Sequence, residues 1–255
     1  MPSWRVRRQL IILLIFATPL AVVTFWAFSK FLPEASCTDN RKNQEELGVD
    51  CGGPCGPCEL KDPKPVALYW TRVVPVRENS YDIAVEIENV NEVLSSADVE
   101  YEFTLRDNLG PIATRRGKTF LFAQERMHII ESNLVTTRKP TNAEFKIRDI
   151  KWEFRKEPKL NIVVLSREYK VTDFNGKKKS TVEAVLLSRT PATLKVVEVS
   201  AILLDQQENL LGTSKIIVEN FLPESRQTVK FLWPEELKGS VNSVIIEPRV
   251  NIFSK

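Results

Sequence analysis

VEYEFTLR, at residues 99–106, places apolar and polar side chains in strict alternation. Successive side chains of a β-strand point to opposite faces, so its four apolar residues fall on one face of a half-buried strand. Residues 81–87, YDIAVEI, alternate in the same way. Turn signals at residues 107–111 (DNLGP) and at Asn175-Gly176 separate such runs, as expected for antiparallel hairpins. The pattern therefore predicts a mainly β protein.

The same order of features returns later in the chain at a constant displacement of 98 positions, as in 205 minus 107. A repeat of about 100 residues indicates duplicated domains, because solenoid repeats are about 20–50 residues long. The corresponding residues are Val99 with Val197, Leu105 with Leu203, Asp107 with Asp205, Ile147 with Ile245, and Asp149 with Glu247.

Each copy has the length of an immunoglobulin-like sandwich of seven strands, which needs about 100 residues. We therefore predict two tandem Ig-like β-sandwich domains, at residues 63–158 and 159–255, with a boundary near Pro158. Antibody-type domains are excluded, because all four cysteines of the chain lie before residue 59 and neither copy has the Cys-Trp-Cys signature.

An uncharged stretch of 19 residues, LIILLIFATPLAVVTFWAF, occupies positions 10–28. This matches the roughly 20 apolar residues that cross a bilayer as a helix, and predicts a transmembrane helix over residues 10–29 after a basic tail at residues 1–9. Arg5, Arg7 and Arg8 precede the apolar run, so the positive-inside rule places the N-terminus in the cytoplasm. Everything beyond Lys30 is then outside the cytoplasm, and the protein is a single-pass protein of the cell membrane.

Two alternatives remain for the N-terminal segment. Ala27-Phe28-Ser29 has the small-x-small form of a signal peptidase site, although the apolar run exceeds the usual h-region of about 7–15 residues. A lipoprotein would carry its lipid on Cys37, but Glu34 occupies a position where such signals need an aliphatic side chain.

All four cysteines fall in CTDNRKNQEELGVDCGGPCGPC at residues 37–58, within a predicted module and linker at residues 30–62. The segment has little apolar material for a core, so covalent cross-links must replace burial, as in small exported domains. We predict two disulfides among Cys37, Cys51, Cys55 and Cys58. Three pairings are possible, and stability favours longer closures over a local bond between Cys55 and Cys58.

Other chemistry is possible for this segment. Four thiolates can bind zinc, but the spacing and an oxidising exterior fit disulfides better. Cys55-Gly56-Pro57-Cys58 matches the thioredoxin tetrapeptide but lacks the surrounding βαβ pattern. Oxygen ligands for calcium are offered by Asp39, Asn43, Glu45 and Asp50, whereas turn capping by these side chains is the simpler interpretation.

The segment resembles a cysteine-rich module of bacterial and archaeal envelope proteins with a DCGGxCxxC pattern. The second copy resembles Ig-like repeats of the FxLYD type, through Ile202, Leu203, Leu204 and Asp205. The resemblance implies a β-sandwich fold and an envelope setting, not a reaction. The residues matching the cysteine-rich module are Cys37, Asp39, Asn43, Glu45 or Glu46, Val49, Asp50, Cys51, Gly52, Gly53, Cys55 and Cys58.

No catalytic motif is found in the sequence. The one histidine, His128, has no visible catalytic partner, and its ring is expected to bond to the backbone or to water. Charge is nearly balanced, with 36 basic and 33 acidic residues, so no nucleic-acid partner is predicted. The densest basic run, Lys177 to Lys179, reads as a solvated hairpin tip. Trp70, Trp152 and Trp233 are expected in the cores, with exposed sugar- or protein-binding surfaces as the alternative.

We therefore expect a non-enzymatic envelope protein, without a cofactor, that binds an unidentified envelope or surface protein. An accessory subunit of a secretion, pilus or wall-assembly machine is the second hypothesis. A thiol-disulfide oxidoreductase that uses Cys55 and Cys58 is the third.

Overall fold

The computed structural model describes residues 4–31, 36–43, 45–155 and 161–253. The chain divides into two compact units, Met1–Cys58 and Glu59–Lys255. The elements are α1 (Trp4–Phe31), a 3-10 helix (Cys58–Leu60), β1 (Ala67–Arg77), β2 (Ser80–Glu88), β3 (Leu94–Asp107), β4 (Gly110–Leu121), β5 (Arg126–Val135), β6 (Asn142–Ile150), β7 (Glu153–Phe154), β8 (Ile162–Phe174), β9 (Lys177–Ser188), β10 (Leu194–Leu204), β11 (Leu210–Phe221), β12 (Arg226–Trp233) and β13 (Ser243–Arg249).

Helix α1 confirms the prediction of one apolar N-terminal helix. Its segment Val6–Ala27 is long and apolar enough to cross a membrane, a property that anchors share with signal sequences. The helix begins at Trp4, so the three arginines lie in its first turns. No helix breaker occurs between Trp4 and the apolar run, and arginine is a good helix former. Ala27-Phe28-Ser29 is also helical.

The second unit consists of two β-sandwiches, each made of two antiparallel sheets. In the first sandwich, the outer sheet has the order β4-β3-β6 and the inner sheet the order β1-β2-β5. In the second sandwich, the inner sheet has the order β11-β10-β13 and the outer sheet the order β12-β9-β8. The strand order of the first copy is thus repeated in the second.

Each sandwich has six principal strands, so the expected seventh strand is missing from the described residues. The first sandwich adds only β7, whose two residues pair with the start of β3. The predicted domain boundary near Pro158 lies outside the described residues. The repeated aspartates do correspond: Asp107 Oδ1 accepts the amide of Leu109 at 2.9 Å, and Asp205 Oδ1 accepts that of Gln207 at 2.9 Å.

The displacement of 98 positions between the two copies does not hold for their last strands, β6 and β13. Ile147 of β6 pairs with Tyr101 of β3. Ile245 of β13 pairs with Ile202 of β10, three positions beyond Val199, which lies 98 residues after Tyr101. Hydrogen bonds of the ladder set this register, and they are independent of the length of the loop that leads into the strand.

The sandwich cores contain the predicted alternating residues. Ile83, Val85 and Ile87 from β2 face those of β3 in the first core. The corresponding strands β9 and β10 fill the second core, with Phe231 and Trp233 of β12. The alternation found in the sequence therefore identifies the core-facing side chains correctly.

The opposite faces of the two inner sheets pack against each other. Ala84, Ile130 and Ile202 are buried there, with the half-buried Trp70 and Ile245 beside them. Strands β2 and β10 are consequently buried on both faces over much of their length. This third apolar cluster joins the sandwiches into one unit.

Polar contacts reinforce this junction. Arg249 of β13 forms a buried ion pair with Glu125 of the first sandwich, with Nε 3.0 Å from Oε1. Its Nη2 also donates to the carbonyl of Phe120 at 2.7 Å, and the guanidinium lies over the Phe120 ring. Phe253 stacks on Phe122 beside this pair. The relative position of the two sandwiches is therefore fixed by charge and shape as well as by apolar burial.

Candidate functional site

The first sandwich has an apolar groove along one open edge, between β1 of its inner sheet and β6 of its outer sheet. The groove has a volume of about 420 Å³. Leu68, Ile147 and Trp152 line it, together with Phe145 and Ile150. The segment that enters β1, residues 63–66, forms part of its wall.

The groove is open because β6 has a partner on one side only. It pairs with β3, and no strand of the described chain pairs with its other edge. Phe145, Ile147 and Ile150 belong to the first core but remain half-buried. In the second sandwich, by contrast, Ile246 of the corresponding strand is only 6% exposed. An unpaired edge beside half-exposed core residues is a known route for binding another polypeptide.

One wall of the groove is held by a buried asparagine pair. Asn91 accepts the amide of Lys64 at 2.8 Å and donates to the carbonyl of the same residue at 2.9 Å. Asn89 in turn accepts a hydrogen bond from the side-chain amide of Asn91 at 2.9 Å. These bonds fix residue 64 against the sandwich, so this wall is preformed. Sequence reasoning missed both asparagines, because Asn89 and Asn91 follow a strand and read as ordinary turn residues.

The charge at the groove is basic. Lys64 and Lys146 are the charged residues that line it among the described residues, and both are exposed. Lys146 alternates along β6 with the groove-facing Phe145 and Ile147, so it lies on the outer face of the same strand. The rim therefore favours an acidic partner.

The cysteine module has two disulfides, as predicted. Cys37 is bonded to Cys55 and Cys51 to Cys58, with sequence separations of 18 and 7. No bond joins Cys55 to Cys58, so the tetrapeptide does not contain the internal disulfide that thioredoxin-like exchange uses. Cys37 is likewise occupied by a sulfur and does not carry a lipid. A cluster of Cys37, Glu46 and Cys55 has the spacing of a metal site, but bonded sulfurs offer no thiolate ligands.

The calcium candidates are used for capping. The Asp50 carboxylate accepts the amides of Asp39 and Asn40, each at 3.0 Å. Asn43 donates to Asp39 Oδ2 at 2.7 Å, and this bond lowers the pKa of Asp39. Glu45 is exposed, and it has a positive φ of 63°. Three of the four candidates are thus brought together, and the carboxylates of Asp39 and Asp50 accept the module's own donors, whereas the buried Oδ1 of Asn43 accepts no hydrogen bond from the described residues.

A buried glutamate, which sequence reasoning named only as an alternative to Glu45 in the module pattern, organises the same module. Glu46 is 4% exposed, and its Oε2 accepts the amide of Asp50 at 3.0 Å. Gly52 and Gly53 both have positive φ, and a Cβ on Gly53 would lie 2.6 Å from the carbonyl oxygen of Glu45. The two glycines of the DCGG pattern, at residues 50–53, are therefore required by a tight turn.

The sequence predicted that the His128 ring bonds to the backbone or to water, and this prediction is wrong. Its Nδ1 lies 2.7 Å from Glu247 Oε1, and its backbone amide donates to Glu247 Oε2 at 3.1 Å. Both groups lie at the junction between the sandwiches, where the Trp70 ring is 5.3 Å from the imidazole. A contact over 119 residues of sequence gives no local pattern, which is why the sequence did not reveal it.

The other predicted positions are distributed over the fold. Trp233 is buried and donates from Nε1 to the carbonyl of Thr213 at 3.1 Å, whereas Trp70 and Trp152 are half-buried. The Asn175-Gly176 turn joins β8 to β9, as predicted. Lys177 and Lys178 at this hairpin are exposed, with Lys178 3.6 Å from Glu236.

A second cleft, of about 480 Å³, lies between the sandwiches beside Asp82. Asp82 is 5% exposed and accepts the amide of Asn133 at 2.9 Å. Burial raises the pKa of Asp82 to about 6. Alternation along β2 predicts a solvent-facing residue here, but the second sandwich covers that face.

Comparisons with known proteins assign no family. Neither a known protein family nor a curated protein sequence matches the chain. Solved structures that match include the N-terminal CBM22-1-CBM22-2 tandem domain of Xyn10C from Paenibacillus barcinonensis. It has 9% sequence identity and a TM-score of 0.15, and the match covers 74% of this chain and 86% of that one. This similarity is too low to carry an argument about function.

Proposed function

We propose that the protein is a non-enzymatic, single-pass membrane protein whose exported β-sandwich unit binds another component of the cell envelope. The observation that carries this proposal is the open edge of the first sandwich, where core side chains line a groove beside an unpaired strand. Exposed apolar grooves rimmed by polar residues mark interaction sites.

The rigid junction between the sandwiches supports the proposal. The buried pair of Glu125 and Arg249 and the apolar cluster hold the two sandwiches together, and the bonds between Asn91 and Lys64 fix one wall of the groove. A preformed surface loses less conformational entropy when it binds, so more of the contact energy appears as affinity.

The membrane setting rests on α1 and its flanking charges. Arg5, Arg7 and Arg8 favour a cytoplasmic N-terminus by the positive-inside rule, and disulfides form outside the reducing cytoplasm. Alkaline phosphatase fused after Lys255 should be active, because that enzyme needs export to form its own disulfides. Activity of a cytoplasmic fluorescent protein at the same position, with an inactive phosphatase fusion, contradicts the orientation. Retention of α1 in the mature protein, measured by intact mass, distinguishes an anchor from a cleaved signal sequence.

Partner binding is tested in living cells by site-specific photo-cross-linking. A photoreactive residue at Lys146, on the groove rim, should give one defined cross-linked species, whereas the same residue at Lys177, on the β8–β9 hairpin of the second sandwich, should not. A fixed set of co-purifying proteins indicates the alternative of an accessory subunit of an envelope machine. Equal cross-linking from both positions contradicts a dedicated site at the open edge.

A further inference from the structure

We propose that the groove receives an extended, acidic segment of a partner polypeptide, which pairs with the free edge of β6 as a seventh strand of the first sandwich. This inference deepens the proposed binding function and rests on it. The occupant is a polypeptide, because an unpaired strand edge presents backbone donors and acceptors at the spacing of another β-strand.

The half-exposed core is the first argument for this occupant. Phe145 and Ile147 point into the groove with Leu68 opposite, and Leu68 is 51% exposed. Only alternate residues of an added strand face the groove, so the guest needs apolar side chains at every second position. Burial of these guest side chains covers the apolar surface that the six-stranded sandwich leaves exposed.

Charge is the second argument. Lys146 faces outward on β6, so it becomes a cross-strand neighbour of the outward residues of the guest. Lys64 lies at the opposite wall, where Asn91 holds its backbone. Opposite charges on neighbouring strands stabilise pairing and like charges oppose it, which selects acidic residues at the outward positions of the guest.

Edge charges also protect strands from non-specific pairing. That role explains Lys146, but it explains neither a preformed groove of about 420 Å³ nor core residues left half-buried. On the corresponding strand of the second sandwich, Ile246 is 6% exposed. In the described chain β13 also pairs on one side only, so both copies have an unpaired edge here, and they differ in the burial of the core residues beside it.

The test uses the full chain in detergent micelles and four synthetic peptides of nine residues, the length of β6. One peptide alternates valine with glutamate, and a second alternates valine with lysine. The other two are acidic peptides that are N-methylated on alternate residues, one for each edge of the strand. Binding is followed by fluorine NMR of 5-fluorotryptophan, with the groove resonance assigned by Trp152→Phe and buried Trp233 as an internal reference.

We expect the acidic peptide to shift the Trp152 resonance, and the basic peptide to bind about tenfold more weakly. One N-methylated peptide should bind like its parent and the other should not, because only one edge of the guest pairs with β6. The double variant Lys64→Glu, Lys146→Glu should reverse the preference between acidic and basic peptides. Both lysines are exposed, so this variant should fold normally; Lys177→Glu is the matched control and should change neither affinity.

Several results overturn the proposal: no binding of the acidic peptide at millimolar concentration, equal binding of acidic and basic peptides, or equal binding of the two N-methylated peptides. Self-association that is lost in the double variant shows that a second copy occupies the groove and also overturns it. If the photo-cross-link from Lys146 is specific while the peptides fail, the strand mechanism falls and the proposed function stands. If the peptides bind but no cross-link forms in cells, the proposed function falls instead.

Discussion

Arg249 and Glu125 form a buried ion pair that joins the last strand of the second sandwich to the first sandwich. Nε lies 3.0 Å from Oε1 and Nη2 lies 3.1 Å from Oε2. The two side chains are 9% and 8% exposed. Glu125 Oε2 also accepts the amide of Phe122 at 2.8 Å, so removal of the Glu125 carboxylate leaves the buried Arg249 without this charged partner and the Phe122 amide without its acceptor.

Glu125→Ala should therefore lower the free energy of unfolding by about 3–5 kcal/mol. Glu100→Ala is the control, because the Glu100 carboxylate pairs with the exposed Lys118 at 2.7 Å and should contribute less than about 1 kcal/mol. Urea denaturation measures both. Similar small losses in the two variants contradict a structural role for the buried pair.

Asp82 should make the protein less stable as pH rises. Its folded-state pKa of about 6 exceeds the value of 3.8 in the unfolded chain, so the folded state binds the proton more tightly. The free energy of unfolding should fall as the pH rises from about 4 to 6, and it should stay at the lower value above pH 6. Asp82→Asn should raise stability at pH 7.5 by about 1–3 kcal/mol, since an amide oxygen can still accept the Asn133 amide.

Denaturation curves at pH 4.5 and 7.5 test this prediction. The gain in Asp82→Asn should be larger at pH 7.5, whereas Glu78→Gln, an exposed neighbour in the same cleft, should show little change. A variant less stable than the wild type at pH 7.5 indicates that Asp82 has a favourable partner.

The disulfide pairing can be tested by single replacements. Cys58→Ser should release Cys51 as the alkylated thiol, and Cys37→Ser should release Cys55. Peptide mass spectrometry after alkylation under non-reducing conditions identifies the free thiol. Release of Cys55 by Cys58→Ser indicates instead that these two cysteines are bonded.

Gly53→Ala should destabilise the cysteine module. The added Cβ meets the Glu45 carbonyl oxygen at 2.6 Å, and the positive φ of 58° alone costs about 1–2 kcal/mol for a residue with a Cβ. Gly56→Ala is the matched control, because nothing lies within 4 Å of its Cβ position. Hydrogen exchange of the Asp39 and Asn40 amides, which bond to Asp50, should accelerate in the first variant only.

Much of the architecture could be predicted from local pattern. Alternation in residues 99–106 identified β3 and its core face, and uniform apolarity identified α1, because these signals depend only on residues close in sequence. Clustering of the cysteines and the lack of core residues predicted two disulfides. Their pairing could not be chosen, since it depends on the turn built by Glu46, Asp50 and the two glycines.

The candidate site could not be predicted in the same way. Phe145 and Ile147 read as ordinary core residues, and only the strand order reveals that no strand covers them. Alternation along β2 predicts a solvent-facing Asp82, and the His128 ring was expected to bond to the backbone or to water. These errors have one cause, which is that the second sandwich covers a face of the first.

The sequence by itself determined the strands, their core-facing residues, the apolar helix and the duplication, because each is encoded in spacing along the chain. The tertiary structure alone decided where the groove forms, which disulfides form and how Arg249 meets Glu125. Those outcomes depend on contacts between residues far apart in sequence, for which local periodicity carries no information.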